Sequence, residues 1–216
     1  FNVTATTEVY ALSLHDALPI LRQHGLMGGL FDQTEYCLQQ PDSWSALVIP
    51  VALGQTDERI ANDKGVHPGF LFAVMMWEPL WQAMERDEQE LVSLDELIKA
   101  ANIVLSEQSE RTSLTKPIMH YVKEVWAMQL LLLTKQDQAQ RVLAIPRFRA
   151  GFDFLSLRAF AVPRFNEVVA FWQQQQDQHP EWLYQPVFES VVENQDAAFE
   201  EALEQTRRPR RRRPRR

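Results

Sequence analysis

The sequence predicts an all-α fold, an irregular bundle of about six to eight helices between residues 21 and 186. Apolar side chains recur at spacings of three and four residues, which is the repeat of a helix face. Prolines, serines and aspartates stand where these repeats begin, as expected at the first turns of helices. Strand patterns are scarce: glycine accounts for only 7 of 216 residues, and only "WSALVIPVAL" (44–53) is ambiguous between a strand and a buried helix.

The first well-defined helix is predicted in "VHPGFLFAVMMWEPLWQAM" (66–84), with Pro68 in its first turn. Pro79 lies inside this stretch, where it removes one backbone donor, so we expect a kink or break between residues 75 and 78. The apolar stripe of this helix is formed by Phe70, Val74, Trp77, Trp81 and Met84.

The next two helices begin at recognisable start signals. Ser93 and Glu96 have the spacing of a capping box, which predicts a helix that continues through Leu105. Pro117 is expected to open another helix, with apolar residues recurring as far as Leu132.

Three more helices are predicted before residue 186. Asp137 is expected to cap a short helix through Leu143, and Pro146 and Pro163 are expected to open the last two. The helical body therefore comprises residues 21–186.

Both ends of the chain differ from this body. The stretch "ALSLHDALPI" (11–20) resembles the in-frame translation of a sequencing adapter, so residues 1–20 are predicted to be non-native and are set aside. Residues 187–206 are predicted to form an acidic linker or helix, and 207–216 a disordered basic tail. Apolar runs fall far short of the roughly 20 residues that cross a bilayer, and the single cysteine, Cys37, fits a cytoplasmic protein.

Charge is distributed very unevenly along the chain. The formal net charge is -7, yet the first 206 residues carry 14 Lys and Arg against 29 Asp and Glu, and the last ten carry eight arginines. Arginine pairs bidentately with phosphate, and the tail prolines keep the segment extended. We therefore expect RNA binding by Arg207, Arg208, Arg210, Arg211, Arg212, Arg213, Arg215 and Arg216.

A second group of basic residues lies around the predicted Pro146 helix. Arg147, Arg149, Arg158 and Arg164 are expected to flank an RNA path, and simple solvation of a helix surface is the alternative. The acidic segment 188–205 is expected to compete with RNA for the tail.

No catalytic or metal-binding residue is predicted in the body. The five histidines are scattered without zinc-ligand spacing, and "GLMGGLF" (25–31) lacks the spacing of a phosphate loop. Capping and surface solvation are favoured over metal binding for the carboxylates of "TDERIANDKG" (56–65), namely Asp57, Glu58 and Asp63.

Two long stretches and the tail resemble one known family. The stretches are "TDERIANDKGVHPGFLFAVMMWEPL" (56–80) and "VWAMQLLLLTKQDQAQRVLAIPRFRAGFDFLSLRA" (125–159), and the Pro/Arg end follows in the same order. Together they resemble the C-terminal half of bacterial poly(A) polymerases.

The resemblance implies a role in RNA processing and decay. Enzymes of this family add adenylates from ATP to RNA 3′ ends, and a nucleotidyltransferase domain holds two Mg²⁺ ions through its carboxylates. That domain lies upstream of the matching region, so the resemblance implies a single-stranded RNA partner and a missing N-terminal domain. ATP and Mg²⁺ are implied for the complete enzyme only, and the 216-residue chain alone is expected to be inactive.

Two other interpretations stay open on the residues alone. One is a stand-alone RNA-binding or adaptor protein with a basic tail. The other is a helical interaction module whose tail serves an acidic protein partner or an anionic surface.

Overall fold

The computed structural model describes residues 13–86 and 92–184. The all-α prediction is confirmed for these residues, which form α-helices and short 3₁₀ turns and contain no strand. The predicted number of six to eight helices is too low, since this part of the chain forms eleven. The additional helices are mostly short ones without a long apolar repeat. The predicted acidic segment and tail lie outside the described residues.

The helices follow one another with short connections. The first six are α1 (Leu14–Gln23), α2 (Leu26–Leu30), α3 (Asp32–Leu38), α4 (Trp44–Ala61), α5 (Pro68–Met75) and α6 (Trp77–Ala83). The others are α7 (Leu94–Thr112), α8 (Lys116–Thr134), α9 (Ala139–Leu143), α10 (Phe148–Ala161) and α11 (Asn166–Gln178). Three 3₁₀ turns occupy Gln136–Gln138, Pro163–Phe165 and Pro180–Trp182.

The ambiguous stretch 44–53 is helical and forms the first half of α4. The hydroxyl of Ser43 caps the helix by accepting a hydrogen bond from the N–H of Ala46 at 3.0 Å. Val48, Ile49 and Ala52 belong to one buried helix face, but Leu47 and Val51 outside that face are apolar too and hide the periodicity in the sequence. This continuous apolar run, and not continuous burial, explains why the stretch also matched a buried strand.

The break predicted near Pro79 is confirmed. Helix α5 ends at Met75, Met76 separates the two helices, and α6 begins at Trp77. Pro79 has no N–H to donate to the carbonyl of residue 75, which an uninterrupted helix would require. The helix is therefore interrupted at Met76, the residue that follows this carbonyl.

Of the five start signals after residue 90, those at Ser93 and Pro117 are confirmed, and those at Asp137, Pro146 and Pro163 are not. The hydroxyl of Ser93 accepts a hydrogen bond from the N–H of Glu96 at 3.2 Å, and Pro117 lies in the first turn of α8. Asp137 does not cap α9, because it lies inside a 3₁₀ turn and Gln138 occupies the cap position. Pro146 and Pro163 precede α10 and α11 by a few residues and do not open them directly.

Helix α1 spans the predicted boundary at residue 20 and packs on α4. The carboxylate of Asp57 in α4 accepts hydrogen bonds from the backbone N–H groups of Leu14 and His15, at 2.8 and 2.9 Å. Asp57 thus has the capping role expected of it, with both oxygens on the first turn of a neighbouring helix. That residues 1–20 are non-native stays a prediction.

Residues 13–86 and 92–184 contain two apolar clusters, and α8 and α10 contribute side chains to both. Val125 and Phe154 face the first cluster, whereas Leu132 and Leu155 face the second. The two helices cross closely at Gly151, which is buried. A Cβ added to Gly151 would lie 2.8 Å from the Cβ of Met128, closer than real contacts of this kind.

The Gly151→Ala substitution is expected to destabilise the fold. The added methyl group meets the stem of Met128 and not a flexible chain end, so overpacking should cost about 1–3 kcal/mol. Urea denaturation should show a lower midpoint with an unchanged slope. Gly54→Ala in α4 is the matched control, because nothing lies within 4 Å of its added Cβ. An equal loss in both variants would contradict a close crossing at Gly151.

Candidate nucleic-acid interface

A cleft of about 470 Å³ opens where the end of α4, the segment before α5 and the starts of α8 and α10 meet. Four cations line it: Arg59 and Lys64 from the end of α4 and the following loop, and Arg147 and Arg149 from the start of α10. We call this site the basic cleft. It gathers positive charge from two distant parts of an otherwise acidic body.

One wall of the basic cleft carries a stacked pair of rings. The rings of His67 and Tyr121 have centroids 3.8 Å apart and an interplanar angle of 12°. Tyr121 is buried and belongs to the first apolar cluster, whereas His67 is exposed. Gly69 makes this pair possible, because a Cβ there would lie 2.7 Å from Cδ1 of Tyr121 and 2.9 Å from Nδ1 of His67.

His67 is held in one tautomer by the backbone. Its Nδ1 accepts a hydrogen bond from the N–H of Gly69 at 3.1 Å, which leaves the proton of the neutral ring on Nε2. Desolvation by burial and the charge of Arg147 both lower the pKa of His67. The ring is therefore neutral at physiological pH, with Nε2–H as its free donor.

The two arginines of α10 that line the cleft have different partners. Nε of Arg147 donates to Oε2 of Glu124 at 2.8 Å, and Glu124 is only 1% exposed. The guanidinium carbon of Arg147 also lies 4.8 Å from the Tyr121 ring centroid. Arg149 is exposed, and its Nη1 donates to Oε1 of Gln176 at 3.3 Å. Arg147 is thus fixed by a buried carboxylate, whereas the hydrogen-bond partner of Arg149 is a neutral amide.

Asp153 supplies a negative charge beside the cations of the cleft. Its carboxylate lies 3.6 Å from Nη1 of Arg59 in an ion pair at the cleft wall. Burial raises the pKa of Asp153, and the charges of Arg149 and Arg59 oppose that rise. Lys64 is exposed. Arg59 and Arg149 thus share the charge of Asp153, and Lys64 is the cleft cation for which no such carboxylate partner is described.

The structure places only two of the four predicted body arginines in the basic cleft. Arg158 is 1% exposed, and its guanidinium carbon lies 4.9 Å from the Trp77 ring and 4.3 Å from the Phe165 ring. It therefore lies in the interior and not on a surface path. Arg164 is exposed, stacks 4.7 Å from the centroid of Phe165 and does not line the cleft. The eight tail arginines lie outside the described residues.

Five of the cleft residues described above were not predicted as site residues, namely Arg59, Lys64, His67, Tyr121 and Asp153. Three of them fall within "TDERIANDKGVHPG" (56–69), where Arg59, Lys64 and His67 could have been noticed as a local basic and aromatic group. Tyr121 gave no such signal, because its contact with His67 arises only in the folded chain.

The described residues do not fit a Mg²⁺ pair of the kind that the family resemblance implies. Among residues 13–86 and 92–184, no three His, Cys, Asp or Glu side chains are grouped so that they could hold a metal ion. Both carboxylate oxygens of Asp57 already accept hydrogen bonds from backbone N–H groups of α1.

The single cysteine and the apolar helices are the remaining candidates for a functional role. Cys37 is 1% exposed, as expected for an inert buried thiol, and burial is the main cause that raises its pKa to about 12. In the described ranges, no helix combines the length and apolar character needed to cross a bilayer.

Comparison with known proteins decides the family. Residues 89–216, more than half of the chain, match the family described as the polymerase A arginine-rich C-terminus. The chain belongs to this family. Its matched region contains α7 to α11 and the basic tail, so it includes two of the cleft cations, Arg147 and Arg149.

Individual proteins similar to this chain are named Poly(A) polymerase I. The protein of Escherichia coli is 33% identical over 209 residues, which cover 94% of this chain and 43% of the relative. Those of Haemophilus influenzae and Salmonella typhi are 35% and 36% identical over 144 and 143 residues, with 65% and 64% of this chain covered. These two alignments cover 32% and 31% of the relatives, so the chain spans less than half of the length of each.

The titration of Asp153 tests the electrostatics of the basic cleft. Removal of the Arg149 charge by Arg149→Gln should raise the pKa of Asp153 further, because that charge favours the ionised carboxylate. Carbon-detected NMR of the Asp153 carboxyl group gives the midpoint directly. Arg164→Gln, which removes an exposed charge outside the cleft, should leave the midpoint unchanged. A midpoint insensitive to Arg149 would contradict the proximity of the two groups.

Proposed function

We propose that this chain is the RNA-engaging helical part of a poly(A) polymerase, in which the basic cleft holds a short stretch of single-stranded RNA. The observation that carries the proposal is the convergence of Arg59, Lys64, Arg147 and Arg149 on one cleft. The 206 residues before the tail carry twice as many acidic as basic residues, so such a convergence is not a consequence of composition.

The cleft and the tail serve the proposed function in different ways. Lys64 and Arg149 are exposed and form no ion pair in the described contacts, so they are suited to contact phosphates. Arg147 and Arg59 form ion pairs with Glu124 and Asp153, and Arg149 also acts on the charge of Asp153. The tail supplies eight more charges and no aromatic ring, so it adds affinity without preference for sequence.

For the complete protein, we propose the activity named in its relatives, poly(A) polymerase. Adenylates from ATP would be added to RNA 3′ ends in the cytoplasm by an N-terminal nucleotidyltransferase domain that uses Mg²⁺. The 216-residue chain would bind RNA but not extend it. Support comes from the family membership and from the 33% identity to the Escherichia coli enzyme.

RNA affinity measured across salt concentrations separates the two proposed contacts. Deletion of 207–216 should reduce the slope of log K against log salt by about 5–6, from roughly 0.7 per phosphate contact of a single strand. Lys64→Gln combined with Arg149→Gln should reduce it by about 1.4 on the same basis. Fluorescence anisotropy with a labelled oligoadenylate gives both slopes.

Lys99→Gln is the matched control, because Lys99 is exposed on α7 and does not line the cleft. Its slope should equal that of the unmodified chain. Equal slopes for the unmodified chain and the double cleft variant would refute RNA binding in the cleft. A chain whose affinity survives both changes would instead fit an interaction module for another kind of partner.

A further inference from the structure

We propose that the exposed face of His67 is a stacking platform for one nucleobase of the RNA strand. This inference rests on the proposed function of the basic cleft and deepens it, since it assigns a base-binding subsite within that cleft. The geometry behind it is a supported ring: His67 has Tyr121 against one face and is exposed toward the cleft.

The platform is already rigid before any ligand binds. Tyr121 is 8% exposed and is fixed in the first apolar cluster, so it cannot move away from the His67 ring. The N–H of Gly69 fixes the rotation of the imidazole through Nδ1. The protein therefore loses little side-chain conformational entropy when a base stacks on His67.

The ring also has the right charge state for the role. Because Nδ1 accepts the Gly69 N–H, the neutral ring presents Nε2–H as a donor at the edge of the platform. The charge of Arg147 nearby disfavours protonation of the ring. The platform thus combines a π-face, which every base can use, with one outward hydrogen-bond donor.

The same cleft supplies charges for the phosphates that flank the base. Lys64 lies three residues before His67, and Arg149 lines the cleft from α10. A nucleotide consists of a flat base and an anionic phosphate, and these groups match the two kinds of surface found together here. The tail contains no aromatic residue, so the stacking contribution is not expected from it.

A comparable ring pair elsewhere on the chain provides a matched control. His179 stacks on Trp182 with centroids 3.6 Å apart and an angle of 9°, but neither residue lines the basic cleft. His179→Ala therefore removes a stacked histidine that does not line the basic cleft.

The experiment compares binding of a 12-nucleotide oligoadenylate with binding of copies in which one base at a time is removed. In the unmodified 216-residue chain, loss of the base at one position should weaken binding roughly five- to hundredfold, the usual range for a base–aromatic stack. His67→Ala should abolish this sensitivity without a change in salt slope. His67→Phe should retain most of it, since a ring remains on Tyr121, and His179→Ala should behave as the unmodified chain.

The outcomes distinguish this inference from the proposed function. If the Lys64→Gln and Arg149→Gln changes lower the salt slope but His67→Ala leaves the base sensitivity intact, the platform is refuted and RNA binding in the cleft stands. If neither set of variants changes RNA binding, both are refuted. Loss of base sensitivity in His67→Phe as severe as in His67→Ala would also overturn the inference, because stacking on the ring face would then not be its cause.

Discussion

The close crossing of α8 and α10 is the constraint on which the rest of the structure depends. Gly151 allows this crossing, because any side chain at that position would meet Met128 of the facing helix. Both helices contribute side chains to the two apolar clusters. The distance between α8 and α10 therefore affects the packing of both clusters. Packing in such an interior is dense, and a shift of one helix would disturb contacts on both sides.

Polar side chains reinforce the crossing from within. Nε2 of Gln129 donates to the carbonyl of Gly151 at 2.9 Å, and Nη1 of Arg158 donates to Oε1 of Gln129 at 3.4 Å. Arg158 also lies against Trp77 in one cluster and Phe165 in the other. Its buried charge is thus hydrogen-bonded and flanked by rings, and it links the two clusters through α10. Because α8 and α10 also contribute Tyr121 and Arg149 near their starts, the crossing fixes the walls of the basic cleft.

The sequence predicted those features that depend on local chemistry. The cap at Ser93, the start of α8 and the break before Pro79 follow from groups within one turn of each other. Helix α2 was missed because "GLMGGLF" contains three glycines, and only the burial of Met27 against the rest of the body makes helix favourable there. The positive charge of Arg147 and Arg149 was visible in the sequence. The inward position of Arg158 could have been found too, since it lies seven residues after Gly151 and so shares its helix face.

The stack of His67 on Tyr121 could not be predicted, because His67 precedes α5 while Tyr121 lies in α8, and the two meet only through tertiary packing. This pair changes what the cleft can contribute to RNA binding. Three of the four cleft cations act on the carboxylates of Glu124 or Asp153, so the charge available for phosphates is smaller than the number of arginines and lysines suggests. Electrostatic affinity in the proposed function must then come mainly from the tail, and it weakens as salt rises. Stacking on a neutral ring carries no such salt dependence, so the cleft would determine where the strand lies while the tail determines how strongly it is held.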